Sequence, residues 1–129
     1  AVVEVQVDPI SLIPGIQNIW MTIDAGRILD EEEARHTLEL GIAQAVGWIL
    51  KEHLQYVGGK IPQELFQNYR ICSTLDFPSP YIEFVSSQGT VVKGIGELAF
   101  SVIPAALASA LSQALNTPLR EIPYKTEVE

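Results

Sequence analysis

The residues with the clearest chemical pattern form the segment Lys93-Gly94-Ile95-Gly96-Glu97. Two glycines flank one apolar residue between a predicted strand and a predicted helix, and glycine permits positive φ angles and a close approach to a ligand. The exposed backbone N–H groups of such a turn can contact a phosphate or an oxo group. Glu97 would stand at the junction of loop and helix, where a fixed carboxylate can act as a base.

The same segment has an ordinary interpretation as well. It lacks the Gly-Lys-Ser/Thr order of a Walker loop and the spacing of a dinucleotide fingerprint. Glutamates are also common at helix N-termini, because the helix dipole stabilises negative charge there. The residues alone therefore leave open both a catalytic role and a helix-terminus role for Glu97.

The other reactive or metal-binding side chains are isolated in the sequence. His36 and His53 are too far apart along one predicted helix to bind a single metal ion, and they are interpreted as surface residues. Cys72 is the only cysteine and is interpreted as a small buried hydrophobic residue. One cysteine can form neither an internal disulfide nor the thiolate set of a zinc site or an iron–sulfur cluster. We therefore expect no metal ligands in this chain and any electron-transfer centre elsewhere.

Size and charge exclude several classes of protein. A chain of 129 residues with 47% hydrophobic side chains suffices for one domain, which we assign to residues 1–129. The net charge of −8 and the scattered basic residues argue against binding to nucleic acid or to an anionic membrane surface. The uncharged stretch 98–119 could cross a bilayer, but polar residues recur in it at helical spacing, which predicts a half-buried helix instead. The N-terminus has no signal-peptide pattern, and with the lone cysteine this favours a cytoplasmic setting.

Hydrophobic alternation predicts two strands near the N-terminus and a shorter one later in the chain: Val3–Val7, Ile19–Ile23 and Tyr81–Val85. Pro14 and Gly15 are interpreted as loop residues between the first two strands. Gly58-Gly59 predicts a small hairpin, and Ser86–Gly89 predicts a turn.

The first predicted helix begins after Asp30, a residue type favoured as an N-cap. Gly41 and Gly47 lie in its interior, where each costs about 1 kcal/mol relative to alanine. Close packing on a sheet would explain both glycines, and a ligand is the alternative.

The second predicted helix runs from about Ser101 to Leu115, with Pro104 in its first turn, and Asn116 ends it. The resulting order of strands and helices predicts an α+β fold, in which two main helices pack on one face of a small mixed sheet. Both faces of the second strand are partly apolar, which indicates that another surface covers it.

Five segments resemble one known family. KGIGE, followed by the alanine-rich VIPAALASAL, resembles the end of the molybdenum-binding subunit of xanthine dehydrogenases and aldehyde oxidases, where the motif reads Lys-Gly-Val-Gly-Glu or close to it. Four further segments resemble motifs of that family, in the family's order: IDAGRIL, LELGIAQAVGWIL, NYRICSTLDFP and LREIPYKTEV. Together they extend from about Val3 to Val128, and on them the chain is identified as a member of the molybdenum hydroxylases.

The resemblance implies a cofactor and a reaction. The chain would be the C-terminal portion of a larger molybdopterin-binding domain, with molybdenum held on a pyranopterin. Glu97 would be the base that takes the proton of the metal's hydroxyl ligand, whose water-derived oxygen is added to an N-heterocycle such as a purine, or to an aldehyde. The other residues that the resemblance places at the cofactor are Lys93, Gly94, Gly96, Thr37 and Gln44.

Several positions depart from the family pattern. Thr37 stands where the family has a glutamine that bonds the pterin, and Leu40 stands where it has a glycine. Val91 and Val92 replace a Gly-Ala pair, and Cys72 replaces a proline. These departures leave open a second interpretation, a non-catalytic interaction domain that kept the fold and lost the cofactor.

The resemblance also implies partners. The family's subunit supplies earlier loops that hold the cofactor and select the substrate, and these cannot fit into 129 residues. We therefore expect the chain to be inactive alone, as a fragment or a split subunit. Its expected partners are the remainder of the molybdenum-binding subunit, iron–sulfur and FAD domains or subunits, and a small heterocyclic or aldehyde substrate.

Overall fold

The computed structural model describes residues 1–61, 69–85 and 91–124. Its elements, in chain order, are β1 (Val2–Val7), β2 (Pro14–Ile23), α1 (Glu31–Leu50), β3 (Tyr81–Phe84) and α2 (Leu98–Ala114). The sheet order is β1-β2-β3, with β1 antiparallel and β3 parallel to β2. This small mixed sheet with two helices confirms the predicted α+β class.

The sheet follows the predicted alternation, with one difference. Ile19, Met21 and Ile23 of β2 face the core, as the alternation predicts. β2 nevertheless begins at Pro14, because Pro14 and Gly15 pair with the end of β1. The prediction that these two residues form a loop is wrong, since proline is tolerated at the first position of a strand, where its missing N–H costs no ladder bond.

Helix α1 begins as the sequence predicts. The Asp30 carboxylate accepts a hydrogen bond from the Glu33 N–H at 3.1 Å, which satisfies one of the free donors of the first turn. The buried face of α1 packs with the sheet and with α2, and the largest fully buried side chains of the core are Ile19, Leu38, Ile42, Ile103, Leu107, Leu111 and Val46.

The two interior glycines of α1 are explained by close packing. A Cβ atom added to Gly41 would lie 3.0 Å from the Ala99 Cβ of α2. A Cβ atom added to Gly47 would meet the Glu52 side chain and lie 3.3 Å from the Cys72 Cβ. Close packing is therefore confirmed at both positions, but the predicted partner is wrong, because α2, Glu52 and the segment around Cys72 supply the contacts instead of the sheet.

Helix α2 begins at Leu98, three residues before the predicted start at Ser101. Pro104 therefore lies in the second turn and not in the first, where the sequence placed it. Its position leaves the Phe100 carbonyl without the usual helical partner, but the proline ring is buried in the core. Asn116 ends the helix in a left-handed conformation with φ 51°, as expected.

The smaller elements agree with the prediction where the structure describes them. Val57 and Lys60 form an isolated antiparallel bridge around Gly58 and Gly59, which confirms the small hairpin. The predicted turn at Ser86–Gly89 lies outside the described residues. Among the helices of the described ranges, none has the length and hydropathy needed to cross a bilayer.

Candidate functional site

The turn that carries the KGIGE segment is anchored to the end of β2. Gly26 and Val92 form an antiparallel bridge. The Arg27 N–H donates to the Val91 carbonyl at 3.0 Å, and the Lys93 N–H donates to the Ala25 carbonyl at 3.1 Å. Two segments far apart in sequence, IDAGRIL and KGIGE, are thus joined by backbone hydrogen bonds.

The approach of these two segments requires a glycine at position 26. Gly26 has φ 66°, a left-handed conformation that favours glycine. A Cβ atom there would also collide with the Val91 carbonyl oxygen. Any larger residue would therefore push the turn away from β2.

A side-chain ion pair reinforces the same junction. The Lys93 ammonium lies 2.5 Å from a carboxylate oxygen of Asp24. The other oxygen of Asp24 accepts the Gly26 N–H at 3.0 Å. Both charged side chains are about half exposed, at 49% for Lys93 and 45% for Asp24, so water screens their attraction in the chain as described.

Gly94 and Gly96 differ from Gly26, because no described residue lies close enough to require a glycine at either position. Neither has a positive φ, so these two glycines do not use the backbone freedom that their residue type permits. A Cβ atom on either would meet open space. Within the described residues, no hydrogen bond engages the N–H groups of Gly94, Ile95 or Gly96. The turn therefore presents open space and free backbone donors to whatever lies outside it.

Glu97 is the N-cap of α2 and is exposed. Its carbonyl accepts hydrogen bonds from the Ser101 N–H at 3.0 Å and the Ser101 hydroxyl at 2.8 Å. Its carboxylate makes no capping bond, and no described residue pairs with it. Because Ala99 packs on Gly41, the helix end that carries Glu97 is fixed against α1. The backbone of Glu97 is thus fixed, whereas its carboxylate oxygens have no partner among the described residues.

An open groove of about 550 Å³ lies between α1, the segment around Cys72 and the glycine turn. Thr37 and Gln44 are seven residues apart on α1, about two helical turns, and so project on the same side. Both line the groove together with Gly96. Of the six predicted site residues, these three share the groove, Glu97 follows Gly96 directly, and Lys93 and Gly94 lie on the outer part of the turn.

The similarity of this chain to known proteins shows which family it belongs to. Residues 1–78 match the family model of the molybdopterin cofactor-binding domain. The chain belongs to the molybdenum hydroxylases, as one of their molybdopterin-binding domains. The match covers β1, β2, α1 and the segment around Cys72, and it ends before Lys93.

Two individual proteins are similar to this chain over nearly its whole length. The chain is 26% identical over 124 residues to the membrane-bound aldehyde dehydrogenase [pyrroloquinoline-quinone] of Gluconacetobacter polyoxogenes, with 96% of this chain and 16% of the relative covered. It is 26% identical over 132 residues to the nicotine 6-hydroxylase large subunit of Paenarthrobacter nicotinovorans, covering 95% of this chain and 16% of that protein.

A solved structure shares the fold. Quinoline 2-oxidoreductase from Pseudomonas putida 86 superposes with a TM-score of 0.84 at 24% identity, over 92% of this chain and 16% of that chain. The molybdopterin-binding domain described here thus spans less than a fifth of the length of the proteins it matches.

The segment 69–77 forms one wall of the groove, and side-chain contacts hold it to the end of α1. The Lys51 ammonium lies 2.5 Å from Asp76, whose other carboxylate oxygen accepts the Ser73 N–H at 2.6 Å. Burial opposes the charge of Asp76, but the hydrogen bonds from Lys51 and Ser73 hold its pKa below the usual value. The Tyr69 hydroxyl donates to Glu52 at 3.1 Å. These contacts fix the segment 69–77 beside the groove.

Cys72 lies on this wall and is half-buried. Burial, together with the nearby Asp76 carboxylate, raises the pKa of its thiol to about 11, so the group is a neutral thiol at physiological pH. The sequence predicts a small buried hydrophobic residue at this position, whereas Cys72 is only partly buried against the core, and its place at the groove was not predicted. Glu52 and Ile71 also line the groove and were not predicted as site residues. Ile71 lies in the family-like segment NYRICSTLDFP, whereas no motif in the sequence marked Glu52.

The described residues contain no cluster of three or more His, Cys, Asp or Glu side chains suited to a metal ion. The groups that this site offers to a ligand are instead backbone N–H donors, the Thr37 hydroxyl, the Gln44 amide and the Glu97 carboxylate. Such a set fits an anionic or oxygen-rich organic cofactor that carries its own metal.

Proposed function

We propose that this domain supplies the catalytic base of a molybdenum hydroxylase, and that Glu97 is that base. The reaction proposed is hydroxylation of an N-heterocycle such as a purine, or of an aldehyde, with water as the source of oxygen. One observation carries the proposal: the Glu97 carboxylate is exposed at a fixed helix end, directly after a glycine turn. Among the described residues, neither this carboxylate nor the N–H groups of Gly94, Ile95 and Gly96 have a partner. A carboxylate in this state can accept a proton from a ligand docked on the turn.

The residues present fit the family's cofactor. Gly94 and Gly96 leave open space for a close approach, and their N–H groups can donate to its oxygen atoms. Thr37 and Gln44 offer a hydroxyl and an amide from the groove. Lys93 stands at the start of this turn and would contribute to cofactor binding through the turn's backbone, because its ammonium is paired with Asp24. When bound, the cofactor supplies a Lewis-acidic metal centre that accepts the electrons of the oxidation.

The role of Glu97 in this proposal is to receive and hold one proton at a carboxylate oxygen. Its backbone is fixed by the α1–α2 contact at Gly41 and Ala99, so the side chain needs little reorganisation to reach a ligand on the turn. The surrounding exposed apolar side chains, Leu40, Ile71, Val91 and Val92, would exclude water from the site once another polypeptide segment covers them.

We infer that the rest of the enzyme lies in other polypeptide. Residues 1–129 would form the C-terminal portion of the molybdenum-binding subunit, inactive alone, and the remainder would complete the cofactor pocket and select the substrate. Iron–sulfur and FAD centres would lie on further domains or subunits, since Cys72 alone cannot ligate a cluster. We place the assembly in the cytoplasm, and no nucleic acid or membrane is among its proposed partners.

A second candidate is an interaction domain that keeps the fold without the cofactor. The exposed Leu40, which replaces a family glycine at the groove, favours it because a larger side chain narrows the approach. Metal analysis of the purified natural assembly distinguishes the two. Stoichiometric molybdenum is expected for the hydroxylase, and its absence would support the interaction domain.

The catalytic assignment is tested by Glu97→Gln in the full-length enzyme. The amide keeps the size of the side chain but cannot accept the proton, so turnover should fall about 100- to 10 000-fold while molybdenum content stays unchanged. Glu83→Gln is the matched control, because Glu83 is an exposed carboxylate of β3 outside the site. Near-normal turnover of Glu97→Gln would remove the assignment.

A further inference from the structure

The position of the glycine turn depends on its two ends and on Ile95, which packs against the core. Its middle has no steric contact at Gly94 or Gly96 and no hydrogen bond from their N–H groups within the described residues. The C-terminal end is fixed by α2 packing on α1 through Ala99. The N-terminal end is fixed by the backbone bond from Lys93 to Ala25 and by the ion pair of Lys93 with Asp24.

We propose that Lys93 is a positioning residue, which acts on the reaction by tying the glycine turn to Asp24 at the end of β2. This role rests on the proposed function of Glu97. The Lys93 ammonium is 2.5 Å from the Asp24 carboxylate, and Asp24 is itself oriented by the Gly26 N–H at 3.0 Å. The Lys93 side chain therefore reaches toward the end of β2, where its charge is paired with the Asp24 carboxylate.

The Lys93–Asp24 ion pair should affect the position of the glycine turn more than the free energy of unfolding. An ion pair that is half exposed contributes little to the free energy of unfolding. A displacement of about 1 Å at a reacting group, however, can lower turnover by about 100-fold. Apart from Ile95, which packs against the core, the described residues restrain the turn little between its ends. Loosening Lys93 therefore shifts the free N–H donors relative to Glu97, which α2 holds in place.

The test uses Lys93→Met and Lys93→Arg in the full-length, cofactor-loaded enzyme. Lys93 is changed in preference to Asp24, because Asp24 also accepts the Gly26 N–H. Methionine keeps the length and loses the charge, whereas arginine keeps the ion pair. Lys60→Met, in the small hairpin, is the control for loss of a surface lysine.

Two measurements are made on each variant: turnover, and hydrogen exchange of the Arg27 and Lys93 amides, which bond across the junction. We expect Lys93→Met to lower turnover about 10- to 100-fold and to speed exchange at both amides. Molybdenum content should stay at the wild-type level. Lys93→Arg should restore both readouts, and Lys60→Met should change neither.

The outcomes separate this role from its alternatives. Lower turnover with unchanged exchange would overturn the positioning role and indicate direct contact of Lys93 with cofactor or substrate. Faster exchange with normal turnover would overturn it as well, leaving a structural contact only. A Glu97→Gln enzyme with wild-type turnover would reject the proposed function, whereas full loss in Glu97→Gln with none in Lys93→Met rejects the positioning role alone.

Discussion

At the scale of single residues, three glycines near the site serve different purposes. Gly26 is required by its own backbone angle and by the Val91 carbonyl beside it. Gly94 and Gly96 have ordinary backbone angles and open space around them, so this domain does not itself require glycine there. A close approach by something outside the domain is the physical reason that remains.

Gly96→Ala tests that reason in the full-length protein. The free energy of unfolding should change by less than about 1 kcal/mol, because the backbone angle suits alanine. Molybdenum content or turnover should nevertheless fall, because in the proposed site the methyl group would take space that the cofactor needs. Gly58→Ala is the converse control: its φ of 58° should make alanine destabilising without affecting metal content. Full metal content and normal turnover in Gly96→Ala would contradict the placement of the cofactor.

Cys72 gives a prediction about pH. Burial raises the pKa of its thiol from 9.0 to about 11, so between these values the folded chain binds more protons than the unfolded one. The contribution of Cys72 to stability is therefore complete below pH 9 and is lost as pH rises toward 11. Denaturant unfolding from pH 8 to 11 should show this decline, and Cys72→Ala should lack that part of it. An identical pH dependence in both proteins would contradict the raised pKa.

At the scale of elements, the crossing of α1 and α2 sets the position of Glu97. The crossing is close because Gly41 faces Ala99, with no room for a further Cβ atom between them. Since Ala99 lies two residues after Glu97, a shift of this contact is transmitted to Glu97, the proposed base.

Gly41→Ala should lower turnover by pressing α2 away from α1, even though alanine favours the helix by about 1 kcal/mol. Adding Ala99→Gly removes the opposing methyl group and should recover part of the activity. A double-mutant cycle should give a favourable coupling on the order of 1 kcal/mol in stability. Additive effects of the two changes would show that the helices do not depend on this contact.

The elements themselves could largely be predicted from local patterns. Alternation in β1 and β2 and the cap at Asp30 depend on neighbouring residues, which the sequence displays directly. The start of α2 was misplaced because Pro104 was taken as a first-turn residue, whereas burial of its ring in the core outweighs the lost hydrogen bond.

The site was only partly predictable for a related reason. Thr37 and Gln44 share a face because of helical periodicity, which is local. The pairing of Lys93 with Asp24 joins residues 69 positions apart, and nothing in the sequence specifies that contact. The same holds for Glu52 and Ile71, which reach the groove only through the placement of the segment 69–77.

At the scale of the whole molecule, this domain presents surfaces suited to covering by other polypeptide. The outer face of the sheet carries Trp20 and Tyr81, stacked with ring centroids 6.2 Å apart and both exposed. Exposed apolar residues also flank the glycine turn, among them Val91 at 68%. Adjacent exposed apolar groups on a domain of the molybdenum hydroxylases indicate contact surfaces, which agrees with the small share of its relatives that this chain spans.

The distance between Glu97 and the metal centre of the assembled enzyme tests the proposed role of Glu97 most directly. A crystal structure of the full-length protein, with molybdenum located by its anomalous scattering, measures that distance directly. We predict a Glu97 carboxylate oxygen within about 3.2 Å of a ligand of the metal, with Gly94 and Gly96 beside the cofactor. A bound metal centre separated from Glu97 by other side chains, with the carboxylate facing solvent, would contradict the account.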